Sequence, residues 1–290
     1  MLRPLSILVV LVGVVLASLP SRAPAQFLRA PAANAQVDLE LVLAVDVSGS
    51  VDIREGRLQR QGYIDAFLNP KLLQTIQNGR NGRIAVTYLE WAGWGLFRQM
   101  VDWTVIHDRA SAEAFAHELD NFGNISGRGT SISGAIDISM QLFAMNPFKG
   151  DRRVIDISGD GPNNSGLSVI GYRDMAVERG ITINGLPILS DAGNVVSDLD
   201  VYYKECVVGG PGAFVIPAQN FETFGEAVLR KMILEVADAR TDPAPGLLHK
   251  AQFLGQRPNP LFNNEPTRYF PNCDIPNNAR PQQFPGPGGF

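Results

Sequence analysis

The sequence predicts an α/β protein built on a doubly wound, Rossmann-like sheet of six strands, mostly parallel, with one antiparallel edge strand. Three observations predict it. Apolar runs of strand length alternate with helical patterns along most of the chain. The run Leu41–Val45 is continuously apolar, as a strand buried on both faces of a parallel sheet requires. Only Arg83–Glu90 and Phe97–Val105 are joined by a loop, WAGWG, too short for a crossover helix, so that pair is antiparallel.

The elements follow in order. Val37–Val45 is the first strand. Asp52-Ile53-Arg54-Glu55 then opens a helix as an acidic cap with a glutamate three residues on, and this helix carries Ile64, Phe67 and Leu68 and stops at Asn69-Pro70. After the hairpin, Asp108–Leu119 is helical, with Ala112, Phe115, Ala116 and Leu119 spaced for one buried face. A glycine-rich loop, FGNISGRGT, leads to a helix bearing Ile132, Ile136, Met140 and Phe143. Arg153–Ser158 is a strand ending in SGDGPNNSG, and Leu167–Arg179 the helix after it. Ile181–Ile188 is the fifth strand, Val201–Cys206 a short helix, and Ala213–Pro217 the sixth strand. Phe221–Ala237 closes the domain with Phe221, Phe224, Val228 and Met232 along its stripe.

Bulk properties narrow the function. A chain of 290 residues that is 45% hydrophobic can fill a proper core. Its formal net charge is -4 and it has no lysine or arginine block, which excludes a nucleic-acid backbone as the partner. Residues 1–25 read as a secretory signal peptide: Arg3 at the start, then an apolar run from Leu5 to Leu19, then Ala23-Pro24-Ala25 as cleavage site. Ala33-Asn34-Ala35 is a second cleavage site further from the run. An uncleaved anchor is the alternative, although a span needs about 20 apolar residues; after cleavage no stable membrane span remains. The mature protein is therefore expected in the periplasm or secreted. Residues 26–36 form a linker, 37–240 the domain, and 241–290 a tail holding half of the 20 prolines, too poor in apolar surface to fold alone. In an oxidising compartment Cys206 and Cys273 can pair, closing a loop worth about 4 kcal/mol; the alternative is two free thiols.

The chemistry starts at LVLAVDVSGS. Asp46, Ser48 and Ser50 place oxygen ligands at alternate positions where the first strand ends, the ligand type that Mg²⁺ or Mn²⁺ takes. Asp160 ends the strand of VIDISGDG. With strand order 3-2-1-4-5-6 these two strands are neighbours at the switch point, where open α/β sheets bind ligands. The GRGTS loop can arch over the same place and bring Thr130. Two carboxylates and three hydroxyls then converge. Local alternatives exist for each: Ser50 and Asp52 as helix caps, Thr130 as the next cap, Asp160 in an Asx-turn. Asp156 either supports the metal's ligands from behind or is a satisfied core aspartate. The loop Trp91–Gly95 is either a binding surface or packing for the hairpin. His107, His117 and His249 lack zinc-ligand spacing.

DVSGS, GRGTS and SGDG, in that order and on those elements, resemble the three loops of the metal-ion-dependent adhesion site in von Willebrand factor A-type domains. The resemblance covers roughly Val37 to Ala239. EWAGW, CVVGGPGAFV and the last helix are similar to an uncharacterised bacterial family of exported proteins of this type. The resemblance implies that Ser48, Ser50 and Thr130 offer hydroxyl oxygens to the ion, that Asp46 and Asp160 bind it directly or through water, and that an acidic side chain of a protein ligand fills the open position.

This makes a non-enzymatic, metal-dependent protein-binding module the leading expectation. The rival is a Mg²⁺-dependent phosphohydrolase of haloacid-dehalogenase type using Asp46, whose chemistry wants a second aspartate where Ser48 stands. No GxSxG elbow supports serine hydrolysis. A third reading gives the ion a purely structural role and leaves the biological contact to the tail.

Overall fold

The computed structural model describes residues 35–120, 126–189, 198–237 and Cys273. The signal peptide at 1–25, all of the 26–36 linker before its last two residues, and the 241–290 tail apart from Cys273 lie outside the described residues. The elements run β1 (Gln36–Asp46), α1 (Ile53–Leu68), α2 (Pro70–Gln77), β2 (Ile84–Trp91), β3 (Phe97–Ile106), α3 (Arg109–Asp120), α4 (Ile132–Met145), β4 (Lys149–Gly159), α5 (Val169–Glu178), β5 (Ile181–Pro187), α6 (Leu199–Tyr202) and α7 (Phe224–Ala237). A π-helical turn, Tyr203–Val207, continues α6.

Among the described residues the sheet has five strands in the order β3-β2-β1-β4-β5, parallel except for β2–β3. Both faces are covered. Leu39, Leu41, Leu43 and Val45 of β1 join a core with α1, α2, α3 and α7, while Val42 and Ala44 join a second core with α4, α5 and α6. The doubly wound architecture is thus present, but the six-strand count is not. Ala213–Pro217 runs beside β5 without forming a strand. Gly185 N–H donates to the Phe214 carbonyl (3.0 Å) and Ile216 N–H to the Gly185 carbonyl (3.0 Å); further on, Ala218 N–H donates to Pro187 (2.9 Å) and Leu189 N–H to Ala218 (2.8 Å). The missing rung falls on Pro187, which has no N–H. The ladder is cut into isolated bridges at Gly185–Val215 and Ile188–Ala218.

Asn69-Pro70 also does more than stop a helix. The Asn69 side chain accepts from Lys71 N–H (2.9 Å) and Pro70 takes the first position of α2, where its missing donor does no harm. The start of α1 is as the sequence pattern predicts: Asp52 and Glu55 form a reciprocal capping box, each bond 2.8 Å.

Face parity decides the surroundings of Asp156. It lies on the same face as Leu43, its neighbour on β1, and meets α7. Its Oδ1 is 2.6 Å from Lys231 Nζ, and Lys231 also pairs with Glu235; all three are buried. Asn184 donates to Glu235 Oε1 (3.0 Å) and the Lys231 ammonium lies 5.5 Å from the Phe214 ring centroid. Burial pushes the Asp156 carboxyl up to about 7, with Lys231 opposing and Glu235 adding to the rise.

Removing Lys231 strands two buried carboxylates, so Lys231→Met is expected to lose about 3–5 kcal/mol of unfolding free energy at pH 8 by urea denaturation. A folded-state carboxyl raised from 3.8 to about 7 contributes stability that is full below the lower value and is lost as pH rises through the upper one. Asp156→Asn is expected to flatten that decline relative to the wild type between pH 4 and pH 7.

Candidate metal centre

Asp46 ends β1 opposite Trp91 of β2 and is fully buried. Its backbone carbonyl accepts from Gln59 Nε2 of α1 (3.2 Å), and its Oδ1 accepts from Ser48 N–H (2.8 Å). Oδ2 is buried with no hydrogen-bond partner. Past the strand end, Ser48 Oγ and Ser50 Oγ lie 3.1 Å apart. Ser50 Oγ donates to Asp160 Oδ1 (2.8 Å), and Thr130 Oγ1 donates to Ser48 Oγ (3.4 Å). The structure therefore brings Asp46, Ser48, Ser50, Thr130 and Asp160 together at the carboxyl end of the sheet. Helix capping is done by neighbours: Asp52 caps α1, and Ser131 Oγ accepts from Gly134 N–H to cap α4 (3.1 Å).

Backbone bonds weld the three loops. Ser48 and Gly127 form an isolated parallel bridge, with Gly127 N–H donating to the Val47 carbonyl (3.3 Å). Thr130 carbonyl accepts from Asn164 N–H (2.9 Å) and Ser165 N–H (3.1 Å), and Thr130 N–H donates to Asn164 Oδ1 (2.8 Å). Ser131 N–H donates to Ala92 of the hairpin loop (2.9 Å). Glycine suits position 127 because a Cβ there would stand 2.8 Å from Ala92 Cβ, which cannot turn away.

The electrostatics suit a cation. Burial pushes the Asp46 carboxyl well above its ordinary range, and the nearby Asp160 carboxylate pushes it further. Asp160 is also raised, again chiefly by burial, with the Ser50 hydrogen bond opposing. Two desolvated carboxylates, one with an orphaned oxygen, beside three hydroxyls make a hard-oxygen donor set that fits a divalent ion. Among the described residues no cluster of three or more His, Cys, Asp or Glu side chains is found, so a zinc-type set is absent from them.

Asp156 is not with this group; it faces α7 as described above. Tyr203 is near it and the sequence pattern missed it. Its hydroxyl is buried and unpartnered, and a Cβ placed on Gly159 would stand 2.9 Å from both Tyr203 Oη and Asp46 Oδ2. Burial raises its phenol well above the ordinary value, and Asp46 and then Asp160 add to the rise. The available signal was a tyrosine in the short Val201–Cys206 helix, which nothing local ties to the site. Asn163, in the loop after β4, is buried with its side chain accepting from Ser133 N–H (3.0 Å) and donating to the Leu167 carbonyl (3.1 Å).

A doubly wound sheet with these three loops defines the fold as that of von Willebrand factor A-type domains. The family described as "Protein of unknown function (DUF1194)" matches residues 36–240, and the chain belongs to it. No curated protein matches the sequence. Among solved structures, the pilus adhesin SpaC from Lactobacillus rhamnosus GG in its open conformation is similar over 70% of this chain and 31% of its own, at 15% identity and TM-score 0.50. Proximal thread matrix protein 1 of the mussel byssus, with a zinc-occupied MIDAS motif, is similar over 71% of this chain and 47% of its own, at 12% identity and TM-score 0.50. A von Willebrand factor type A structure from Catenulispora acidiphila matches at 14% identity over 70% of this chain and 43% of its own, TM-score 0.47. The chain thus spans less than half the length of each of these proteins.

Gly159→Ala is expected to lower thermal stability by about 1–3 kcal/mol, because its methyl must displace Asp46 or Tyr203. Divalent-ion affinity measured by calorimetry is expected to rise with pH, since protonated Asp46 and Asp160 do not ligate and both carboxyls are raised.

Proposed function

We propose that this chain is an exported module that grips a partner protein through a divalent ion, Mg²⁺ or Mn²⁺. The observation that carries the reading is the meeting of three loops around two buried carboxylates, with Ser50 Oγ 2.8 Å from Asp160 and Thr130 Oγ1 3.4 Å from Ser48. Ser48, Ser50 and Thr130 would hold the ion through their hydroxyls, and Asp46 and Asp160 directly or through water. When bound, such an ion supplies an electrophilic position open to a carboxylate of the partner. Around it the hairpin loop and the loop after β4 supply contact area: Trp94, Leu96, Phe97 and Leu167 are 46%, 41%, 47% and 58% exposed. Trp94 is held there by its N–H to Ser165 Oγ (3.2 Å) and by an edge contact with Tyr172 at 5.9 Å. An adhesin and a matrix protein among the structural relatives agree with a binding role.

Export through the 1–25 signal peptide, leaving a 26–36 linker, a 37–240 domain and a 241–290 tail, is part of the same proposal. The disulfide between Cys206 and Cys273 in the structure supports an oxidising destination, periplasmic or secreted. Among the described residues no helix is long and apolar enough to cross a membrane. A serine at position 48, whose N–H holds the Asp46 carboxylate, speaks for binding over phosphoryl transfer.

Calorimetry of the mature protein with Mg²⁺ and with Mn²⁺ tests the reading. Asp46→Ala is expected to abolish binding, and unchanged binding in that variant would overturn the assignment. In a chelator-controlled pull-down, Trp94→Ala is expected to weaken partner capture about tenfold, as truncating an exposed aromatic anchor does. Phosphate-ester hydrolysis lost in Asp46→Asn would favour the enzymatic alternative, and capture that survives chelation but not tail deletion would favour a structural ion.

A further inference from the structure

We propose that Tyr202 is a positioning residue of the metal centre, coupling the Cys206–Cys273 disulfide to the third metal loop through its hydroxyl. The proposal rests on the reading of that centre as a metal site.

The disulfide joins residues 67 apart in sequence and brings Cys273 into the core that covers the α4, α5 and α6 face of the sheet. There the Tyr202 hydroxyl, at 0% exposure, is used in both directions. It accepts from Asn163 N–H (3.1 Å) and donates to the Cys273 carbonyl (3.0 Å). Asn163 belongs to the loop that starts at Asp160. Its side chain bridges Ser133 of α4 and Leu167, and the next residue, Asn164, grips Thr130 from both sides: Asn164 Oδ1 accepts from Thr130 N–H (2.8 Å) while Asn164 N–H donates to the Thr130 carbonyl (2.9 Å). A chain of short bonds therefore leads from Cys273 through Tyr202 and Asn163-Asn164 to Thr130, a candidate ligand on another loop.

The neighbouring residue strengthens the connection. Tyr203 projects from the start of the same π-helical turn that carries Cys206, and its hydroxyl flanks Gly159 together with Asp46 Oδ2. π-Helical insertions frequently sit at functional sites. Movement of Tyr202 and Tyr203 would thus be felt at Asp46 and at the Asp160 loop alike.

Without the disulfide nothing covalent holds Cys273 against Tyr202, because residue 273 lies 67 positions from Cys206 in a stretch of sequence rich in proline and asparagine. The hydrogen bond from the Tyr202 hydroxyl to the Cys273 carbonyl would then no longer be held in place, and the Asn163 turn would lose its tie to residue 273. The tail therefore acts on the ion site from a distance, through one carbonyl.

The test uses the full mature chain with three changes: Tyr202→Phe, Cys206→Ser with Cys273→Ser, and all of these combined. Mg²⁺ and Mn²⁺ affinities are measured by calorimetry, and amide hydrogen exchange is followed at Asn163, Thr130 and Ala85 without added divalent ion. Tyr202→Phe and the cysteine pair are each expected to weaken ion binding about fivefold, the size of one lost hydrogen bond. The combination is expected to be no weaker than the worse of the two, since both remove the same connection. Exchange at Asn163 and Thr130 should quicken in both variants while Ala85 of β2 stays unchanged. Additive losses, or full affinity in Tyr202→Phe, would overturn the coupling. If the wild type binds neither ion, the metal reading fails by itself; Asn163 exchange then still decides the coupling, which falls if exchange is unchanged in Tyr202→Phe.

Discussion

Asp46 sits inside the protein with one carboxylate oxygen held by the Ser48 amide and the other without a protein partner, and much of the surrounding structure follows from that placement. A buried carboxylate is unfavourable unless something compensates it. Here the Ser48 amide compensates one oxygen in part, while other segments bring hydroxyls, from Ser50 and Thr130, and a second carboxylate, Asp160 at the end of β4. A second carboxylate so close makes the first harder to ionise, so the group as a whole calls for a cation more strongly than either acid alone. Gly159 keeps its side clear for Asp46 Oδ2 and the Tyr203 hydroxyl, and Gly127 lets the second loop close against Ala92.

The protein carries a second buried ionic group, and the pleat of the sheet keeps the two apart. Asp46 continues the row of Val42 and Ala44, which face α4; Asp156 continues the row of Val154, which faces α1 and α7. Lys231 pairs with both Asp156 and Glu235 across the α7 contact and fixes that helix on the sheet, while Asp156 Oδ2 and Glu235 Oε2 stay buried without a hydrogen-bond partner. The two groups therefore divide the work. One has an internal cation, Lys231, and locks a helix in place, and the other has no lysine or arginine paired with it among the described residues.

Much of the scaffold was legible because local chemistry and long-range packing agree. The continuous apolar run of β1, the Asp52–Glu55 capping box and the short hairpin loop each have one good structural solution. The errors came where a residue's role depends on something beyond its own segment. Ala213–Pro217 has a strand's composition, but the rung that would join it to β5 falls on Pro187. The stripe of α7 was read from its apolar residues, while Lys231, three positions after Val228, is buried with them because Asp156 waits on the opposing strand. Tyr203 had no local mark at all, since its relation to Asp46 runs through the π-helical turn and the glycine at the end of β4.

By itself the sequence determined the order and kind of most elements, the doubly wound sheet, and the oxygen-bearing residues that end β1 and follow β4, because strand period and turn chemistry act over a few residues. Tertiary structure alone decided that Asp156 belongs to Lys231 and not to the candidate metal centre, that Tyr202 links Cys273 to Asn163, and that Ala213–Pro217 meets β5 through isolated bridges and not as a strand. Those outcomes depend on which face of the sheet a side chain meets and which distant backbone group lies opposite it. Such choices are made by packing over the whole domain, and no window of neighbouring residues contains them.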